Sequence, residues 1–441
     1  MSIDLGKLLI KKKQFSKALF VFEKFLKKKP NDLRANFQMG KLYYELNNLN
    51  KSILFFEKCN KIQPNTPNIL FNLALILQSS GKIEKAKENY LKLISINSRD
   101  IKSYYGLLTL DANYITREFY YKLQTLNNDE NVSIFEKSLI NFIFSKLERK
   151  KNNVEDEIKY LEISHKQSYE ANLLINNQAN FYYKNIIANY FDSIKFKENY
   201  NLIPEFNNSK HIFIVGLPRS GSSLVETIIS HNSKEIYSFG EFHGINTSIL
   251  DQIGKSIYSK DFNNKNFKFE INKKLFQESL IEKFYNFDKE IFLDKSLENF
   301  FNIEIILEFF PNSKIIHTYR NFEDSVIAIY KTMLPELSWA HKIKDIIEYI
   351  NLYDATIKYF KKKYPNKIID VELSKLTYQK ETEAKKILDF CEIQFKKDFL
   401  DFDKNEKLFN KTNSFLQVRE KIKKYKERKY QSYYHLIKKK L

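Results

Sequence analysis

The chain is poor in the residues that mark disulfide-built, metal-built or membrane-spanning proteins. Its 441 residues include two cysteines, Cys59 and Cys391, and these share no metal or redox spacing. A cytoplasmic, reducing compartment is therefore the simplest expectation. No stretch approaches the ~20 apolar residues that span a bilayer, so no membrane span is expected. The opening MSIDLGKLLIKKKQ is amphipathic, with neither an apolar h-region nor a small-residue cleavage site, and it predicts no signal peptide. No histidine, cysteine or carboxylate cluster has metal-ligand spacing, and no metal is expected. Glycine, tryptophan and methionine are scarce, whereas asparagine, isoleucine, phenylalanine and tyrosine abound. That bias also swells lysine everywhere.

What is present sets the scale. An apolar fraction of 43% supports real cores, and the length predicts two or three domains. The net charge of +19 favours anionic ligands. Its lysines are spread along the chain, with runs at 11–13, 361–363 and 438–440 that read as solvated faces. Charge alone therefore does not argue for a nucleic-acid partner.

The N-terminal part of the chain repeats. Pro30-Asn31 recurs as Pro64-Asn65, and Ser98 falls at the next equivalent break. In the same register lie Gly6, Gly40 and Ala74, then Ala18, Ser52 and Ala86. Phe22, Phe56 and Tyr90 form another column, and Phe15, Leu49 and Ile83 a fourth. Small residues at two positions let paired helices approach closely, and the aromatic position fills the space between hairpins. Residues 101–190 look helical without this period. Segments 133–149 and 154–167 are expected to form a hairpin that caps the repeats.

From residue 211 the pattern changes. Apolar strands are predicted at 211–215, 291–293, 314–319 and 367–371, separated by helical runs at 299–310, 323–334, 342–364 and 381–391. Strands alternating with helices predict a parallel sheet covered on both faces. Ligands of such sheets sit at the carboxyl ends of the strands. The first strand runs into Gly216-Leu-Pro-Arg-Ser-Gly-Ser-Ser223 and then an apolar helix. Strand, glycine loop and helix together point backbone N–H groups at an anion. The spacing Gly216-x4-Gly221 matches a phosphate-binding P-loop, but Ser222-Ser223 replaces the usual lysine and hydroxyl residue, and Arg219 is the loop's only cation. Asp294-Lys295-Ser296 and Arg320 also follow strands directly, so all three segments are expected to line one crevice.

VGLPRSGSSLVETIISHN resembles the 5′-phosphosulfate loop of the sulfotransferases, in particular the tyrosylprotein sulfotransferase-like branch. The resemblance continues through FGE (239–241), LDKS (293–296), FFPNSKIIHTYRNFEDSVIAIY (309–330), KIIDVELSKLT (367–377), KTNSFLQVREKI (411–422) and KYQSYY (429–434). The N-terminal period resembles tetratricopeptide repeats. These resemblances imply a tetratricopeptide-type helical solenoid over 1–110, a helical capping or connecting segment over 111–195, and a P-loop-like three-layer α/β sulfotransferase domain with a parallel sheet over 196–441.

The chemistry implied is sulfuryl transfer from 3′-phosphoadenylyl sulfate to a hydroxyl on protein tyrosine, a saccharide or a small alcohol. The solenoid would offer a site to a protein or peptide partner. By the same resemblance Pro218, Arg219, Ser220, Gly221, Ser222 and Ser223 hold the 5′-phosphosulfate, Glu241 is the general base, and Lys295 stabilises the bridging or leaving oxygen. Arg320 grips the 3′-phosphate. The family's serine eight residues later is Ala328 here, with Ser325 nearby as a substitute. Ser414 and Lys429 belong to a segment that closes over the nucleotide, with Asn413 and Arg419 as further members. His243 is the alternative base, since in an extended stretch it shares a face with Glu241. His317, inside a strand, reads as a satisfied core residue. Two other readings stay open: a P-loop kinase or NTPase with Asp294 as its magnesium-binding carboxylate, and a scaffold whose α/β domain is catalytically dead.

Overall fold

A computed structural model describes residues 2–192, 194–197, 209–232, 235–257, 269–284, 290–395, 422, 424–426 and 428–438. The described residues form two compact units. One takes in the chain through Asn176 together with Tyr330–Ile343, and the other takes in Asn177–Ile329 and the segments from Lys344 onward.

The first unit opens with seven helices: α1 (Ile3–Lys11), α2 (Phe15–Lys28), α3 (Leu33–Glu45), α4 (Leu49–Ile62), α5 (Pro67–Ser79), α6 (Ile83–Ile96) and α7 (Ile101–Leu110). The even-numbered repeat helices begin at 15, 49 and 83, and α3, α5 and α7 begin at 33, 67 and 101, so the sequence period is a period of helix starts. Each column has a packing reason. Ala18, Ser52 and Ala86 are fully buried, as are Phe22, Phe56 and Tyr90. The Phe56 ring lies over Gly40 so closely that a Cβ there would come within 2.6 Å of it, and Phe22 covers Gly6 in the same way at 2.4 Å. Ser52 Oγ donates to the Gly40 carbonyl at 2.6 Å, which fastens α4 to α3.

Beyond the repeats come α8 (Arg117–Asn128), α9 (Ile134–Lys150) and α10 (Val154–Ala171), followed in the other unit by α11 (Leu173–Phe181), whose N-terminal residues still belong to the first. The helix pair expected at 133–149 and 154–167 is α9 and α10. A capping box, Ser133 with Glu136, starts the former.

Residues 330–343 join this unit across a long stretch of sequence. The helix expected over 323–334 stops at Tyr330, because the following residues leave the helical path before Pro335 and pack on α10. Lys331 and Glu157 pair at 2.7 Å with both side chains buried. His165 Nε2 donates to the Tyr330 carbonyl at 2.7 Å, and its Nδ1 meets Nδ1 of His341 at 3.2 Å.

The second unit is α/β. Two short strands, β1 (Lys195–Lys197) and β4 (Glu270–Asn272), pair in parallel. The main sheet contains β2 (Lys210–Gly216), β3 (Ile236–Gly240), β5 (Ile291–Asp294), β6 (Lys314–Tyr319) and β7 (Ile368–Glu372) in the order β3-β5-β2-β6-β7, with every pairing parallel. Its helices are α12 (Ser222–Asn232), α13 (Gly244–Ile257), α14 (Lys273–Phe284), α15 (Ile303–Phe309), α16 (Phe322–Tyr330), α17 (Ile343–Lys363), α18 (Leu373–Tyr378) and α19 (Lys380–Phe390). Central β2 is buried from His211 to Gly216, as its unbroken apolar run requires when both faces are covered. His317 lies inside β6, where it pairs with Asp370 at 2.7 Å and also bonds to the Tyr353 hydroxyl.

Candidate functional site

Sheet order places the site. β5 and β6 flank β2, and β3 lies beyond β5, so four strands deliver their carboxyl ends to one edge. Read across that edge, Glu241 follows β3, Lys295 follows β5, the 216–223 loop follows β2, and Arg320 follows β6. The expectation of one shared crevice for the loop, Asp294-Lys295-Ser296 and Arg320 corresponds to this order.

The loop is built by close approach. Gly216 sits opposite Thr318 in the β2–β6 register, at φ +151°, and a Cβ there would lie 2.3 Å from the Thr318 carbonyl oxygen. Gly221, at φ +93°, would drive a Cβ to 2.7 Å from Leu373. Only glycine avoids both the contact and the left-handed strain. Arg219 itself adopts φ +67°, an uncommon conformation for a residue with a side chain. Burial, opposed by Tyr430 and assisted by neighbouring Arg320, holds its guanidinium below the usual range.

Helix α12 starts at Ser222, where the Leu224 and Val225 N–H groups close its first turn on the Gly221 carbonyl, so the positive end of the helix faces the loop. The Ser220 side chain is engaged within the protein. Its hydroxyl donates to the Leu217 carbonyl at 2.7 Å and meets Thr318 Oγ1 at 2.8 Å, tying the loop to β6. Ser222 and Ser223 are buried at the helix start.

Lys295 is fully buried, with its ammonium 2.7 Å from Glu241 Oε1 and 3.7 Å from Glu226 Oε2. Burial pulls its pKa down, but Glu241 and Glu226 push harder and the net shift is upward. Its backbone N–H donates to the Gly240 carbonyl at 2.9 Å, which locks β5 to the residue before Glu241. Glu241 is about half exposed at 46% and so reaches both the buried lysine and open space. His243 is exposed, and its backbone N–H donates to Ser296 Oγ at 2.7 Å. Asp294 is buried; burial raises its carboxyl pKa, and Oδ1 accepts the Ser296 N–H at 2.7 Å.

Arg320 is held from several sides. Nη2 pairs with Asp324 Oδ2 at 3.2 Å and donates to the Tyr425 hydroxyl at 3.0 Å, and Nη1 donates to the Arg219 carbonyl at 3.3 Å. The Tyr425 and Tyr430 rings lie 4.9 and 5.7 Å from the guanidinium carbon. Nε is buried and has no hydrogen-bond partner among the described residues. An anion with paired oxygens suits such a donor.

Ser325 and Ala328 are both buried on α16. The Ser325 hydroxyl donates to the Asn321 carbonyl at 2.7 Å, so it already has a partner at the start of its own helix. Lys429 is exposed beside the Tyr430 ring. Ser414, Asn413 and Arg419 lie outside the described residues.

Glu226, Thr318, Asp324 and Tyr425 belong to the site without having been marked by the sequence. Asp324 alone carries a local signal, as an acidic residue in the first turn of the helix that follows Arg320. The others depend on strand register or on chain returning from a distance.

Residues 211–397 match the model described as the Sulfotransferase family, and residues 11–100 match that described as anaphase-promoting complex, cyclosome, subunit 3. A protein of Aquifex aeolicus (strain VF5), described as uncharacterized, is 25% identical over 370 residues, covering 80% of this chain and 47% of its own length. The chain thus spans about half the length of the curated relative it matches. A sulfotransferase family domain follows a tetratricopeptide-like repeat segment.

Proposed function

We propose that the sulfotransferase family domain transfers a sulfuryl group from 3′-phosphoadenylyl sulfate to a hydroxyl acceptor, and that the site on the β3-β5-β2-β6 edge performs the transfer. The observation that carries this reading is the linear order of Glu241, Lys295, Arg219 and Arg320 on four neighbouring strand ends, with Lys295 buried against Glu241 at 2.7 Å.

Each residue then has a chemical task. Arg219 and the first-turn N–H groups of α12 bind the 5′-phosphosulfate. Arg320 binds the 3′-phosphate, and its Nε, which has no hydrogen-bond partner among the described residues, is a donor for a phosphate oxygen. Glu241 takes the acceptor's hydroxyl proton as the oxygen attacks sulfur. Lys295 steadies the oxygen from which the sulfuryl group departs. A sulfuryl group carries less negative charge than a phosphoryl group, so an arginine, a lysine and backbone amides suffice where a kinase recruits magnesium.

The partly exposed Glu241 suits a base that meets acceptors of several shapes, and protein tyrosine is the acceptor favoured by the resemblance of the loop. The repeat segment is proposed to hold a protein or peptide partner. No helix among the described residues is long and apolar enough to cross a membrane.

Thermal shift tests the reading, since a ligand that binds the native state raises the melting temperature with its concentration. Stabilisation by 3′-phosphoadenosine 5′-phosphate without magnesium is expected, with little effect from ATP or GTP. Magnesium-dependent ATP turnover would instead favour a phosphoryl-transfer enzyme using Asp294. Arg219→Ala and Glu241→Ala should each nearly abolish sulfate transfer while the fold persists.

A further inference from the structure

The lysine at the centre of the site is shared between two carboxylates. Glu226, in the second turn of α12, holds Oε2 3.7 Å from Lys295 Nζ, while its Oε1 accepts the Ser238 hydroxyl at 2.6 Å. Ser238 lies in β3, two residues before Gly240, whose carbonyl accepts the Lys295 backbone N–H. Helix α12, strand β3 and the end of β5 thus meet at one ammonium group. Its side chain is 1% exposed, against 12% for Glu226 and 46% for Glu241.

We infer that Glu226 is a positioning residue that keeps Lys295 charged and aimed during the reaction, a role that rests on the transfer chemistry proposed above. The course of charge through the reaction gives such a group a task. When Glu241 takes the acceptor's proton it becomes neutral and ceases to be a counter-charge. The oxygen–sulfur bond forms on the acceptor side and the sulfur–oxygen bond to the nucleotide breaks, leaving negative charge on the departing phosphate. Until that charge has built up on the departing oxygen, a buried ammonium that has lost its nearest carboxylate is costly to keep ionised. Glu226, fixed by Ser238, stays ionised and supplies the missing charge. Its longer separation leaves a donor hydrogen of Lys295 available to the departing oxygen. A carboxylate as close as that of Glu241 competes for such a hydrogen, whereas one at the distance of Glu226 stabilises the charge without claiming it.

The test is a pH profile of donor consumption, read as release of 3′-phosphoadenosine 5′-phosphate with N-acetyltyrosinamide as acceptor probe, whose hydroxyl stays protonated at neutral pH, for wild type, Glu226→Gln, Glu226→Asp, Ser238→Ala and Glu241→Gln. Affinity for 3′-phosphoadenosine 5′-phosphate is measured in parallel by calorimetry. In Glu226→Gln, turnover should fall about tenfold or more at neutral pH with nucleotide affinity little changed. The alkaline limb of the profile should move down by about one pH unit, because Lys295 loses a proton more easily. Glu226→Asp should keep the limb in place, and Ser238→Ala should give a smaller shift of the same sign. Normal turnover and an unmoved limb in Glu226→Gln, alongside loss of turnover in Glu241→Gln, would overturn the positioning role and leave the transfer reading intact. Wild type that binds the nucleotide without consuming the donor, or Glu241→Gln that turns over normally, would overturn the transfer reading and this inference with it. Should Glu226→Gln fail to fold, Glu226→Asp and Ser238→Ala decide: a limb moved by the serine variant supports the role, and profiles of both matching wild type overturn it.

Discussion

Arg320, between β6 and α16, and Asp324, in the first turn of α16, pair at 3.2 Å with 6% and 0% of their side chains exposed. The same carboxylate receives the Tyr425 hydroxyl, the Tyr434 hydroxyl at 2.8 Å and the Tyr430 backbone N–H at 3.4 Å. Burial alone would raise the Asp324 pKa, but Tyr425, Tyr434 and Arg320 outweigh it and the net shift is downward.

Asp324→Ala leaves a buried guanidinium uncompensated and releases three C-terminal groups at once. A loss of about 3 kcal/mol or more in unfolding free energy is expected, with faster limited proteolysis after residue 422. Denaturant titration and peptide mapping read these two effects separately. Asp324→Asn, which retains acceptor capacity on one oxygen, should show both to a smaller degree.

Gly216→Ala should disable the loop. The added methyl would meet the Thr318 carbonyl at 2.3 Å in a backbone conformation that side chains rarely adopt. The strain is on the order of 1–3 kcal/mol, and relief requires moving β2 from β6. Calorimetry should show no detectable binding of 3′-phosphoadenosine 5′-phosphate, whereas Ser220→Ala, which removes only the side-chain ties of the loop, should weaken binding without abolishing it.

The histidine pair of the first unit predicts acid sensitivity. Burial lowers the pKa of His165 to about 3 and that of His341 to about 4. His165 donates through Nε2, so its Nδ1 must accept from His341 Nδ1, and the contact requires at least one neutral ring. Both native values lie below the ordinary 6.5, so the unfolded chain binds more protons in the interval between them and that value. The stabilisation is therefore complete above pH 6.5 and declines as pH falls toward 3–4. His165→Gln should flatten the slope of denaturant midpoint against pH between about 7 and about 4.5.

In the repeats, Phe56→Ala removes a fully buried ring that covers Gly40. A cost of about 3–5 kcal/mol is expected. Because repeat contacts are made between neighbours, the loss should be local. Hydrogen exchange should rise in α3, α4 and α5 and stay near wild type in β2 and β6.

Much of this is legible in the residues, because the signals are periodic or adjacent. Phe15, Leu49 and Ile83 share a column because each begins a helix, and the strands at 314–319 and 211–215 announce themselves as apolar runs. Lys295 and Arg320 stand out because each directly follows a strand, and Arg219 because it is the one cation in the loop after β2. Glu226 does not, since its approach to Lys295 is made by a helix that packs over the end of a different strand. Ser220 looks in sequence like a ligand for an anion, although its hydroxyl is committed to Leu217 and Thr318. Nothing local to PRSGSS reveals which strand lies beside it. The helix end at Tyr330 is hidden for a similar reason: Lys331 leaves the helical path toward Glu157, a partner far back in the sequence.

The Ser220–Thr318 tie and the bond from Arg320 to the Arg219 carbonyl have a further consequence. They weld the loop and the end of β6 into a single jaw, so the gap between the two arginines behaves as a caliper with a fixed setting. For the proposed donor, selection then becomes a measurement of length. A nucleotide with an anion at each end can meet both cations, and one lacking the 3′-phosphate leaves Arg320 without its anion and binds more weakly.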